Sequence, residues 1–118
     1  MYSVDERTGV ILPLSPASVA SGNLGTFLTM DPSRNLAFVD DVGTNVYTYA
    51  INQLTGNLTQ TAVTANGPNS NPFVVENNSR FAYGTSNGST TINIYSYNAS
   101  TGAVSLINTA TNGAATAT

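Results

Sequence analysis

The sequence predicts an all-β chain of antiparallel four-stranded units, and three observations lead there. One phrase recurs three times: YSVDERTG at 2–9, YAINQLTG at 49–56 and YSYNASTG at 95–102. Tyr2, Tyr49 and Tyr95 fall in register, as do Gly9, Gly56 and Gly102. The spacing of about 46 residues is one at which solenoids, propellers and arrays repeat. Second, apolar and polar residues alternate with period two in NVYTYAI and TINIYSY, within segments rich in Val, Ile, Tyr, Phe and Thr. Third, no stretch offers the 3.6-residue periodicity of an amphipathic helix.

The units follow in order. Residues 1–22 hold two strands, the first ending in Tyr2-Ser3-Val4. Residues 23–65 hold four: GTFLTM, LAFVD, NVYTYAI and NLTQTAV. Residues 66–112 hold four more: NPFVV, RFAYGT, TINIYSY and AVSLINTA. Residues 113–118, rich in Ala and Thr, read as a frayed end or linker. The strand count is thus two, four and four within one segment spanning 1–118. The recurring phrase closes a hairpin. Asp5, Asn52 and Asn98 start an Asx turn by accepting from backbone N–H groups two residues on. Gly9, Gly56 and Gly102 supply the positive φ that such a turn requires.

Composition removes several functions. Only 8% of the 118 residues are charged and the formal net charge is −3, with Arg7, Arg34 and Arg80 the only basic side chains. A nucleic-acid partner needs a basic patch to displace counterions, and none can be assembled. No apolar run approaches the roughly 18 residues that span a bilayer, so membrane insertion is not expected. The absence of cysteine excludes disulfides and thiolate chemistry, and the absence of histidine removes the commonest general base and metal ligand. No catalytic constellation, metal site or cofactor motif is visible, and the chain reads as leaning away from an enzyme.

Asp31-Pro32-Ser33-Arg34 leading into Leu36-Ala37-Phe38-Val39, then VYTYAINQLTGNL, resembles the lactonase-like β-propeller repeats. These include the 6-phosphogluconolactonase-like seven-bladed propellers and the related surface propellers with YVTN-type repeats. Glu76 to Arg80 with Phe81-Ala82-Tyr83 is a looser copy. The resemblance implies a partial propeller of about two and a half blades, 1–22 being a half blade. It also implies that the loops into the innermost strand and between second and third strands share the ligand face. On that face the candidate ligand-binding residues are Asp40, Asp41 and Asn45, with Asn69, Asn71 and Asn87. Asp40-Asp41 is the one adjacent carboxylate pair, although calcium needs six to eight oxygen ligands. No catalytic residue transfers from the family: there is no histidine, and Arg34 and Arg80 fall in the turn at the opposite face.

Asn57, Asn77, Asn87 and Asn98 head Asn-x-Ser/Thr sequons and are the glycosylation candidates. Two and a half units cannot close a ring, so the expected partners are further blades of a longer chain or other copies of this one. Carbohydrate is the small-molecule class considered. The leading functional expectation is a non-catalytic extracellular or cell-surface module for binding, adhesion or self-assembly, as a fibre or ring subunit. The alternative is a fragment of a lactonase-like propeller enzyme.

Overall fold

The repeated phrase folds the same way three times, which sets the outer half of every sheet. The computed structural model describes residues 1–31, 33–65, 73–76, 80–85 and 90–111. Asp5 Oδ1 accepts from the amides of Arg7 and Thr8 at 2.9 and 3.0 Å. Asn52 Oδ1 accepts from Leu54 and Thr55 at 2.9 and 3.0 Å, and Asn98 Oδ1 from Ser100 and Thr101 at 2.8 and 3.1 Å. The amides of Gly9, Gly56 and Gly102 then donate 2.7 Å bonds to the carbonyls of Asp5, Asn52 and Asn98. Their φ values, 72°, 71° and 71°, lie where a Cβ is costly. Asp5 is held below the usual carboxylate pKa, first by the Thr8 amide and then by that of Arg7.

Among the described residues ten strands result, and the predicted class holds: antiparallel sheets of two, four and four strands. β1 (Tyr2–Val4) pairs with β2 (Ile11–Pro13). The second sheet runs β3 (Gly25–Asp31), β4 (Leu36–Asp41), β5 (Asn45–Ile51) and β6 (Leu58–Ala65). The third runs β7 (Phe73–Val75), β8 (Phe81–Thr85), β9 (Thr91–Tyr97) and β10 (Val104–Thr111). The outer strands run one or two residues beyond the span read from sequence, and each carries a bulge at the same place in the repeat. In β6 it falls at Thr61, in β10 at Ile107. An extra residue there bends the strand and increases its twist. Residues 113–118 lie outside the described residues.

The two four-stranded sheets pack face to face and approach most closely through β3 and β7. Leu36, Phe38 and Val46 from one sheet meet Phe73, Ala82, Tyr95, Tyr97 and Val104 from the other. Phe38 lies 5.8 Å from Phe73 and 5.4 Å, edge-on, from Tyr97, and Phe73 lies 5.4 Å from Tyr95. Each such aromatic pair adds about 0.5–1.5 kcal/mol beyond the area it buries. Polar bonds stitch the margins of the contact. The Thr29 hydroxyl donates to the Phe73 carbonyl, Thr48 Oγ1 to Gly102 O at 2.9 Å and Thr61 Oγ1 to Thr101 O at 2.6 Å. The Val104 amide returns a bond to Thr64 Oγ1 at 3.1 Å.

The two second strands differ in cover. Leu36 and Phe38 are 2% and 1% exposed beneath the third sheet, whereas Phe81 and Tyr83, at the same places in the next repeat, are 42% and 38% exposed. Among the described residues, the face of the third sheet that carries Phe81 and Tyr83 is its more exposed one.

Candidate functional site

Strand polarity decides which residues can gather. Because β3 and β4 run antiparallel with Gly25 opposite Asp41, the segment leading into β3 and the loop leaving β4 share one end of the sheet. Ser21–Gly25, Asp40, Asp41 and Asn45 lie at that end. The Asp31–Leu36 turn, with Arg34, and the Asn52–Gly56 hairpin lie at the other. Asn69, Asn71 and Asn87, together with the sequon residue Asn77, lie outside the described residues.

Asp41 organises this end. Its Oδ1 accepts from the amides of Gly43 and Asn45, both at 2.8 Å, and Oδ2 accepts from Asn45 Nδ2 at 3.2 Å. The Asn23 amide and the Tyr47 hydroxyl also reach this carboxylate, tying the 21–25 segment to the 41–45 loop. Burial pushes the Asp41 pKa up, but the Asn45, Gly43 and Asn23 donors outweigh it and leave the group below its ordinary value. Tyr47 is shifted up, by burial first and then by the charge and hydrogen bond of Asp41. Gly22 sits against the Tyr47 ring at φ 77°, where a Cβ would fall 2.3 Å from ring carbons. Asp41 and Asn45 are therefore engaged in holding two loops together.

Asp40 is a different case. Neighbours on a strand leave opposite faces, so the two carboxylates do not form a chelating pair. Asp40 points away from Asp41's loop bonds and is 2% exposed. Its Oδ2 accepts from Thr26 Oγ1 at 3.2 Å, while Oδ1 is buried with no hydrogen-bond partner among the described residues. Burial raises its pKa, the Thr26 hydroxyl and the Phe27 amide oppose this, and the charge of Asp41 adds to it; the net shift is upward. Thr26 is the bulge residue of β3. Its role has no local signal, because GTFLTM reads as an uninterrupted strand.

A raised carboxyl pKa has a definite consequence. The folded state binds the proton more tightly than the unfolded chain, so stability rises as pH falls through the folded pKa and the penalty is present above it. Asp40→Asn is expected to stabilise the chain by about 1 kcal/mol at pH 7, the lower end for an unsatisfied buried group. The gain should shrink towards zero in acid. Thermal midpoints of both proteins at pH 7 and pH 3 check this, and equal gains at both would remove the buried-charge explanation.

The remaining candidates are placed as follows. Asn57 is half-buried and donates from Nδ2, the atom a glycan would occupy, to Ser15 O at 3.3 Å. Asn98 is exposed at its hairpin, with Oδ1 holding the turn. At the far end of the sheet, Arg34 Nε lies 3.5 Å from Asp31 Oδ2, and Tyr97 Oη donates to the same oxygen at 2.6 Å.

Comparison with known proteins agrees with this architecture. The family model of the lactonase seven-bladed β-propellers matches residues 2–118. The chain belongs to that family. No curated protein matches it. A solved crystal structure of a protein from Lactobacillus plantarum superposes with a TM-score of 0.76 over 99% of this chain at 18% sequence identity. At that identity the likeness is one of fold. The chain spans 37% of the length of that protein.

Proposed function

We propose that residues 1–118 act as part of a lactonase-like propeller enzyme, and that the ring completed by further blades hydrolyses a sugar lactone. The observation that supports this is the family match running along residues 2–118. Two four-stranded sheets and a two-stranded one fall well short of seven blades. The segment's contribution is the pair of loops at 21–25 and 41–45, locked together by Asp41, with Asp40 carrying the uncommitted oxygen beside them. Any histidine that acts as general base comes from the other blades, since this chain has none. Turnover of a sugar lactone by the full-length protein, followed by acid release at constant pH, is the expected result. A full-length, folded protein inert towards a panel of sugar lactones would sink this reading.

One observation favours a second reading, a non-catalytic module at the cell surface or outside the cell that binds carbohydrate, adheres or self-assembles. Asp5, Asp31 and Asp41 are each committed to turn hydrogen bonds, as in a segment built for architecture. Carbohydrate binding, or assembly into fibres or rings, without lactone turnover would select it.

A further inference from the structure

The seam between the two four-stranded sheets is fastened at one end and loaded at the other. At the end away from the 21–25 and 41–45 loops, Tyr97 Oη of the third sheet donates to Asp31 Oδ2 of the second at 2.6 Å, and Arg34 Nε stands 3.5 Å from the same oxygen. A charge-assisted bond of this kind is about twice as strong as a neutral one. Arg80 lies at that end too, its carbonyl accepting from the Tyr97 amide at 2.9 Å. Arg7 sits in the first hairpin, the same end of the repeat. These three arginines are the only basic side chains in residues 1–118, so none starts from the loop end.

What the loop end holds is Asp40. Leu36, Phe38 and Asp40 leave one face of β4, because alternate residues of a strand do. Leu36 and Phe38 belong to the cluster shared with the third sheet, and so does Val46, which stands opposite Asp40 on β5. The Asp40 carboxyl is therefore inside the seam, one step along the face from the Phe38–Phe73 contact. The Thr26 hydroxyl and the Phe27 amide are beside it, and its Oδ1 has no partner among the described residues. The other titratable groups described in the seam are Tyr95, Tyr97 and Asp31, the last two at the fastened end. Asp41 and Tyr47 stand on the opposite face of the second sheet, and the charge of Asp41 adds to the burden on Asp40.

We infer that the seam is a hinge worked by the charge of Asp40: its loop end is held shut while the carboxyl is neutral and opens when it ionises, with the Asp31–Tyr97 bond keeping the far end closed. A neutral carboxyl can stay against Phe38 and Val46, whereas a carboxylate with an unpaired oxygen draws water into the seam. Burial raises the Asp40 pKa, so opening sets in above the ordinary carboxylate value of about 3.9. Hydrogen bonds hold Asp31 and Asp41 below their ordinary values despite burial. Both therefore stay ionised across that window, and neither the fastened end nor the 41–45 loop follows Asp40. The opening lies beside the candidate site and admits water or ligand between the sheets there. Such a hinge works alike whether the completed ring turns over a lactone or only binds.

Residues 1–118 contain no cysteine, so an introduced thiol can report each end of the seam. In the full-length protein, Val46→Cys places one at the loop end and Leu36→Cys one at the fastened end, both at buried positions. Labelling by a pyridyl disulfide is timed at about pH 4.5 and about pH 7.5, relative to the denatured protein at the same pH, and the labelled peptide is identified by mass. The Val46→Cys rate is expected to rise about tenfold across that range, the factor that about 1.4 kcal/mol makes, and the Leu36→Cys rate less than about twofold. Adding Asp40→Asn to Val46→Cys should keep the slow acid rate at both pH values. Adding Thr26→Val instead, which takes the hydroxyl from the carboxylate, should raise the rate at the higher pH and leave the acid rate unchanged, so the test survives an Asp40→Asn protein that fails to fold. A Val46→Cys rate indifferent to pH, a rise shared equally by Leu36→Cys, a rise that persists with Asp40→Asn, or no effect of Thr26→Val would each overturn the hinge.

Discussion

Gly102→Ala will lower the urea midpoint of the chain far more than Gly9→Ala, although the two glycines hold the same place in the same turn. Their φ values are 71° and 72°, so the backbone strain of adding a Cβ, about 1–2 kcal/mol, is common to both. What differs is the space. A Cβ on Gly9 meets nothing within 4 Å, whereas on Gly102 it falls 2.2 Å from Thr48 Cγ2 and 3.4 Å from Leu36 Cδ1. Thr48 cannot rotate away cheaply, because it is fully buried and its hydroxyl bonds to Gly102 O. Overpacking of this kind costs about 1–3 kcal/mol, and the threatened hydrogen bond about 1 kcal/mol more. The expected losses are about 1 kcal/mol for Gly9→Ala and about 3–4 kcal/mol for Gly102→Ala. Gly56→Ala should fall between, since its Cβ would meet only the end of Leu14 at 3.0 Å. Equal midpoints for all three variants would mean that the hairpin contributes nothing to the contact between sheets.

That series also separates what the sequence discloses from what it conceals. The turn is legible three times over because its bonds are local: a side-chain oxygen to amides two and three residues on, closed by glycine. Strand alternation is legible for the same reason, and with it the ends of the sheet at which Asp40 and Arg34 stand. Adjacency in sequence misleads at Asp40-Asp41. On a strand it separates the two carboxylates, one into loop-locking bonds and one into burial beside the Thr26 hydroxyl and the Phe27 amide. Contacts between sheets leave no local trace. Thr48 and Gly102 are 54 residues apart, and Asp31 and Tyr97 are 66 apart. Each partner already has a sufficient explanation in its own strand or turn. Tyr2 shows the limit from the other side: it matches Tyr49 and Tyr95 in sequence, yet is 65% exposed where they are 1% exposed.

The Asp31–Tyr97 bond is the second place where a large effect is expected, and its pH dependence has two arms. Asp31 is 1% exposed and accepts from Ser33 N at 3.0 Å, Ser33 Oγ at 2.5 Å and Tyr97 Oη at 2.6 Å, with Arg34 beside it. Burial alone would raise its pKa, but Ser33, Tyr97 and Arg34 together hold it below the ordinary value. Its stabilisation is therefore complete above the unfolded pKa of about 3.9 and is lost as pH falls below that. Tyr97 is pushed up to about 12, by burial first and then by the hydrogen bond and charge of Asp31. Its stabilisation is complete below the unfolded pKa of about 10 and is lost as pH rises towards 12. Removing the hydroxyl in Tyr97→Phe should cost about 2 kcal/mol at pH 7, the scale of a hydrogen bond to a charged group. Asp31→Ala should cost about 3 kcal/mol, because it removes the one buried carboxylate that accepts from Ser33 and Tyr97 and faces Arg34. Between pH 10 and 12 the wild type should approach the stability of Tyr97→Phe. Tyr49 and Tyr95, also shifted up by burial, titrate alike in both proteins and cancel in the difference. Urea midpoints of the two proteins from pH 7 to 12 test this, and curves that stay parallel throughout would mean that the bond carries no linkage between the sheets.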